Sequence, residues 1–185
     1  MNSSPDIYSK FYDFLVKEKR CSIHTLRGYK TDLSQFCTYM FENYETETLS
    51  SIESDWVRSW VVSMMRNGLS PRSIHRKVSS IRTFTKFARR RGEMQLNPLD
   101  SVVLPKLQKR LPEVVPVRAM RELFNESVFS DDWKGRRDRS MLALLYETGI
   151  RLSELINLKV TDVDEGRKNL KVFGKGSKER LIPIM

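Results

Sequence analysis

Thr148-Gly149-Ile150-Arg151-Leu152-Ser153-Glu154-Leu155 is the stretch from which the rest of this chain is read. It follows an apolar run, Ser140 to Tyr146, that reads as part of a helix over about residues 136–148. Gly149 is a natural stop for that helix. Ser153 is placed to cap a new helix through Glu154, Leu155, Ile156 and Leu158. Arg151 therefore falls in a tight joint between two helices. Backbone N–H groups and a guanidinium gathered at such a joint suit a phosphate. Taken alone, Arg151 is better read as capping a carbonyl or pairing with a carboxylate, and Glu154 as an acid favoured in a helix's first turn.

Further along comes Phe173-Gly174-Lys175-Gly176-Ser177-Lys178-Glu179-Arg180. Before it, Leu170 and Val172 alternate with Lys171 and Phe173, as in a strand; after it, Leu181, Ile182 and Ile184 suggest a partner strand. The two form a hairpin around a glycine-flanked lysine. Lys178 is a rival to Lys175, and Arg180 reads as decoration on the strand. The Gly174–Ser177 run superficially matches a phosphate-binding P-loop, but it lacks that motif's earlier glycine and leads into a strand. A fixed arginine and a loop-borne lysine suit chemistry on one phosphodiester.

The pair of motifs, Glu147 to Leu155 and then Gly174 to Arg180, closely resembles the tyrosine recombinases, the Xer-type group in particular. The resemblance implies a mainly α fold. A four-helix SAM-like core-binding domain (1–99) precedes a basic linker (100–116) and the N-terminal part of an α+β catalytic domain with a β-hairpin (117–185). It also implies site-specific DNA recombination, in which a tyrosine attacks a DNA phosphate and the strand is later resealed. Arg151 matches the family's first arginine and Lys175 its hairpin lysine, the general acid for the leaving 5′ oxygen. Glu154 matches an acidic position that braces the site. No metal or nucleotide cofactor is implied. The implied partners are double-stranded DNA and further recombinase subunits, four on two sites.

Composition agrees with a polyanionic partner. Lys and Arg total 33 against 23 Asp and Glu, a net charge of +10. Cys21 and Cys37 make no disulfide framework, and a reduced cytoplasmic protein fits. No run approaches the ~20 apolar residues of a membrane span, and no signal peptide opens the chain. Cys21 and His24 have metal-ligand spacing but no second pair, so a helix start is the better reading.

The N-terminal half reads as four helices. Ser4-Pro5-Asp6 starts the first, with Ile7, Phe11, Phe14 and Leu15 at helical spacing. A second, from about Ser22, carries Leu26, Tyr29, Leu33, Phe36, Cys37 and Met40 on one face. Trp56, Trp60, Val61 and Met64 stripe the third, which ends at Asn67-Gly68. Ser70-Pro71 starts the fourth, with Ile74, Val78, Ile81, Phe84 and Ala88 inward and Gly92 at its close. From Arg66 to Arg91 there is no acid, only bases, among them Arg72, Arg76, Lys77, Arg82, Lys86, Arg89 and Arg90. Surfaces normally interleave both signs, so this helix is expected to lie on DNA. Lys106 and Lys109 extend the basic character into a segment containing Pro105, Pro112 and Pro116, which reads as an extended tether.

All six tyrosines precede Arg151, and His24 and His75 lie in the N-terminal half. The family's His-x-x-Arg motif and nucleophilic tyrosine are thus expected beyond Met185. The chain reads as the N-terminal portion of a recombinase without an arm-binding domain. The alternative is a non-catalytic DNA-binding regulator, or a truncated recombinase that occupies sites.

Overall fold

The computed structural model describes residues 5–46, 49–108, 111, 113–125, 128–174 and 179–184. The chain divides into two compact units, Met1–Arg110 and Leu111–Met185. Ser4, Lys109, Pro112 and Lys175–Lys178 lie outside the described residues.

The first unit holds α1 (Pro5–Asp13), continued by a π-helical turn over Phe14–Glu18, then α2 (Ile23–Tyr44), α3 (Ser54–Arg66) and α4 (Pro71–Arg90). Local chemistry sets these bounds. Ser22 and Ser70 cap α2 and α4 by accepting the N–H of Thr25 and Ser73, and Pro71 opens α4 with its ring-fixed φ. Phe11 is fully buried and meets Tyr29 of α2 and Phe84 of α4 edge-on, at centroid distances of 5.7 and 5.1 Å. Each such side chain contributes roughly 1.5–3 kcal/mol by leaving water. On α3 it is Val57 that is wholly buried; Trp56 is partly buried and stacks on Tyr44 at 4.5 Å.

One residue in this core is an acid. Asp32 of α2 has 0% exposure. Its carboxylate accepts from Arg76 Nη1 and Nη2 at 2.6 and 2.9 Å, Lys77 Nζ at 3.2 Å and Ser80 Oγ at 2.7 Å. It bolts α2 to α4, and a buried carboxylate is tolerable because it is paired and hydrogen-bonded.

The segment after α4 differs from the expected tether. Leu99 and Val102 are buried in the first unit's core, and His75 Nε2 lies 2.8 Å from the Pro105 carbonyl. Asn97 is buried too, its amide oxygen accepting from Thr85 Oγ1 and the Leu99 N–H. Prolines forbid a helix there, but extended chain can still pack, so residues 100–105 lie on the helices instead of hanging free.

The second unit holds α5 (Val117–Leu123), α6 (Trp133–Thr148), α7 (Leu152–Ile156), and strands β1 (Val163–Asp164), β2 (Asn169–Phe173) and β3 (Glu179–Pro183). Helix α6 begins three residues before the expected start because Asp132 caps it, accepting the Gly135 N–H at 2.7 Å. The sheet is antiparallel in the order β1-β2-β3, so the expected hairpin gains a third strand. Leu170 and Val172 are buried with Ile150 and Leu155 in a small core. Val172 pairs with Arg180 and Leu170 with Ile182.

Removing the Asp32 carboxylate leaves two bases, one of them largely buried, without their partner. Asp32→Ala should lower the hydrogen-exchange protection of α2 and α4 by about 3 kcal/mol. Unchanged protection would show that the cluster does not hold the helices together.

Candidate active site

The joint between α6 and α7 is built by its own sequence. Gly149 ends α6 in the left-handed region (φ +61°), where glycine carries no Cβ penalty, and its N–H donates to the Leu145 carbonyl. Ile150 anchors the turn in the core at 4% exposure. Arg151 then takes the N-cap position, with extended backbone at φ −75° and ψ 151°. This corrects the expected cap. Ser153 lies inside α7, and Glu154 reaches back so that its Oε2 accepts the Arg151 N–H at 2.8 Å. A carboxylate three residues into the helix satisfies the exposed N–H as well as a capping serine does.

Glu154 accepts three further bonds. Its Oε1 takes Arg151 Nη1 at 2.9 Å and Arg180 Nη1 at 3.0 Å, and its Oε2 takes Arg180 Nη2 at 2.8 Å. The side chain is 4% exposed. The Arg180 fork first, then the Arg151 N–H and guanidinium, hold the carboxyl far below the usual carboxylate range, at about 2. The same pairing pushes the Arg180 guanidinium up. Glu154 is thus a fixed negative charge with all its acceptor sites in use, unsuited to carrying a proton.

Arg151 commits one Nη to Glu154 and its side chain stays 67% exposed. It opens on a cleft of about 500 Å³ lined by Ser153, Asn157, Asp162, Lys171 and Gly174 among others. The cleft thus runs from the joint to Gly174, the residue before Lys175 in sequence. Lys175 and its rival Lys178 lie outside the described residues. Lys171 is engaged by Glu179 at 2.9 Å.

Arg180, which the sequence suggests as decoration on the strand, is the third residue of this cluster, with Arg151 and Glu154. A signal for it was present. Strand periodicity puts Arg180 on the face of Ile182 and Ile184, and its partner Val172 is buried. The apolar Leu181 beside it is exposed.

In the first unit, the bases of α4 divide into two groups. Arg76 and Lys77 turn to Asp32, and Lys77 also donates to Gln35. Arg76 remains 56% exposed while bonded. Arg72, Lys86, Arg89, Arg90 and Lys106 are exposed and Arg82 is half-buried. Arg72 and Lys106 line one cleft of about 450 Å³ with Ser70, Pro71, Leu107 and Gln108. Lys109 lies outside the described residues. Among the described residues, no helix is long and apolar enough to cross a membrane.

Comparison with known proteins places this geometry. Residues 9–92 match the family described as phage integrase, N-terminal SAM-like domain, and residues 118–185 match the phage integrase family. Tyrosine recombinase XerC of Vibrio parahaemolyticus is 37% identical over 183 residues, covering 99% of this chain and 58% of its own length. XerC of Staphylococcus haemolyticus is 38% identical over 179 residues, covering 97% and 59%. The chain therefore spans a little under three-fifths of these relatives. Among solved structures, a lambda integrase dimer bound to a COC′ core site superposes with a TM-score of 0.72 at 16% identity, over 96% of this chain and 59% of that one. The Tn1549 transposon integrase in complex with transposon right end DNA gives 0.70 at 20% identity, over 95% and 60%. At these identities the likeness is one of fold.

Glu154 is ionised when folded down to about pH 2, whereas an unfolded glutamate titrates near ~4.3. Its folded pKa is depressed, so its contribution is complete above about pH 5 and is lost as pH falls toward 2. Hydrogen-exchange protection of α7 and β3, corrected for intrinsic rates, should hold from pH 7 to 5 and then fall. Glu154→Gln should show lower protection at pH 7 and a smaller acid step. An identical acid step in both proteins would mean that other carboxylates govern it.

Proposed function

The chain belongs to the phage integrase family, the tyrosine recombinases, and from that membership we propose that it grips DNA and supplies the first half of a recombinase active site. The complete protein cleaves and rejoins DNA at specific sites through a 3′-phosphotyrosine link. The reading is carried by one observation: the Arg151 guanidinium gives a single N–H to the Glu154 carboxylate and stays 67% exposed on an open cleft.

The chemistry follows from charge. A tyrosine oxygen attacks the scissile phosphorus and the bond to the 5′ oxygen breaks. Negative charge develops on the non-bridging oxygens in the transition state. An arginine fork is matched to two such oxygens, and a preorganised cation stabilises them without reorganisation at the moment of reaction. Lys175, the residue after Gly174 in sequence, protonates the leaving 5′ oxygen as general acid. Glu154 positions Arg151 and does not touch the DNA. The link to tyrosine conserves the phosphoester, so rejoining needs no nucleotide cofactor. All six tyrosines precede Arg151, and in this reading the nucleophile comes from the share of the relatives' length that the chain does not span.

The first unit, with the core-binding role, lays the exposed bases of α4 and Lys106 on the duplex. Arg72, Lys86, Arg89 and Arg90 make phosphate contacts. Arg76 is a contact held in place by Asp32, while Lys77 and Arg82 lie closer to the protein. The basic tether to the catalytic unit is restricted to residues after Pro105. Subunits assemble in fours on two sites, and the protein works in the cytoplasm.

In the complete protein, Arg151→Ala should cut covalent adduct formation on a suicide duplex by about 10²–10³-fold. Duplex affinity should stay nearly unchanged, and the slope of log K against log salt should change by about 1 or less, the share of one phosphate contact. Unchanged adduct formation would remove Arg151 from the chemistry. Binding without adduct in the unaltered complete protein would favour a non-catalytic, site-occupying role.

A further inference from the structure

Arg180 lies on β3, and both of its terminal nitrogens donate to Glu154. The pairing has two consequences. It ties β3 to the N-terminal end of α7, two elements that are distant in sequence. It also fixes how much of Glu154 is available to Arg151. The carboxylate has two oxygens and receives four N–H groups, two from Arg180 and two from Arg151. Because Arg180 occupies both oxygens, Arg151 makes a single side-chain bond and not a fork.

We propose that Arg180 is a positioning residue that acts through Glu154 to keep the Arg151 guanidinium held yet available to a phosphate. The proposal rests on the recombinase reading for its functional consequence. The charge count shows why the second arginine matters. Arg151, Glu154 and Arg180 together carry +1, whereas Arg151 and Glu154 alone carry none. Glu154 is 4% exposed, and removing Arg180 leaves two of its four acceptor sites without their donors. The carboxylate would then turn to Arg151, whose guanidinium matches it as a bidentate partner. Arg151 would be drawn from the cleft and neutralised, leaving an incoming phosphate in competition with a preformed ion pair. A charge is also needed at position 180 in a planar, two-pronged form, so lysine is a poor substitute.

Arg180 reaches the catalytic chemistry only through Arg151, which distinguishes this role from phosphate binding by Arg180 itself and from a simple contribution to folding. Two measurements test it. In this 185-residue chain, modification of Arg151 by phenylglyoxal, followed by peptide mass spectrometry, reads whether the guanidinium is available. Arg180→Met should slow it several-fold, Arg180→Lys less so. An unchanged or faster rate in Arg180→Met would overturn the proposal, because Arg151 would then owe nothing to Arg180.

In the complete protein, Arg180→Met should lower single-turnover adduct formation by about 10²-fold, the scale of a catalytic group misplaced by an ångström. Duplex affinity should stay within about twofold, since one phosphate contact is a small part of a basic interface. The double variant Arg151→Ala/Arg180→Met should be no slower than Arg151→Ala alone. Multiplied losses in the double variant would overturn the proposal in favour of an independent contribution. Failure of the unaltered protein to form adduct would overturn the recombinase reading instead, and the phenylglyoxal rate would still decide whether Arg180 sets Arg151.

Discussion

The buried carboxylate of Glu154 is the constraint on which the second unit depends. A lone carboxylate at 4% exposure would be strongly unfavourable. Here it collects both prongs of Arg180, one prong of Arg151 and the Arg151 backbone N–H. One group thereby starts a helix, attaches a strand and orients a guanidinium. The five-residue helix α7 has little stability of its own; it exists because Ile150 and Leu155 are buried on one side and Glu154 closes its first turn on the other. Arg151 is exposed on the far side of the same joint, and so a group suited to anion chemistry stands on backbone that cannot drift.

The first unit uses a similar device for another purpose. Asp32 is fully buried, and it turns Arg76 and Lys77 of α4 back toward α2. A helix face without a single acid in its own sequence is therefore neutralised in part by an acid from a neighbouring helix. The basic residues of this region left exposed without that acid are Arg72, Lys86, Arg89, Arg90 and Lys106. Arg76 belongs to both groups, since it is 56% exposed while bonded to Asp32. A charge held in place loses less side-chain freedom on binding than a free one.

Much of this was legible in the amino-acid sequence wherever a local rule decided the outcome. Gly149 ended α6, Ser70-Pro71 began α4, and the periodic apolar positions of α4 all proved buried. The joint at Arg151 followed from two helices separated by a glycine. What escaped were the long-range polar contacts. Nothing around Asp32 in its own helix marks it as buried, because its partners lie 44 to 48 residues away. Arg180 is 26 residues from Glu154, and its inward side was masked by the more apolar Leu181 beside it. The two-residue strand β1 is too short to show an alternation, and the packing of Val102 was hidden by neighbouring prolines that suggested a free tether. The cap of α7 was assigned to Ser153 because serine is the commoner cap, while Glu154 performs that task from inside the helix.

The site thus rests on a carboxylate held well below the usual carboxylate range and on an arginine that shares it. Nitrogen NMR of the arginine side chains in this chain at pH 7 addresses that directly. A guanidinium forked onto a buried carboxylate rotates slowly and protects its terminal N–H groups, whereas a solvated one averages them. Arg180 should give separate, slowly exchanging Nη signals that collapse in Glu154→Gln. Averaged Nη signals from Arg180 in the unaltered chain would contradict the account, because Glu154 would then be held by Arg151 alone.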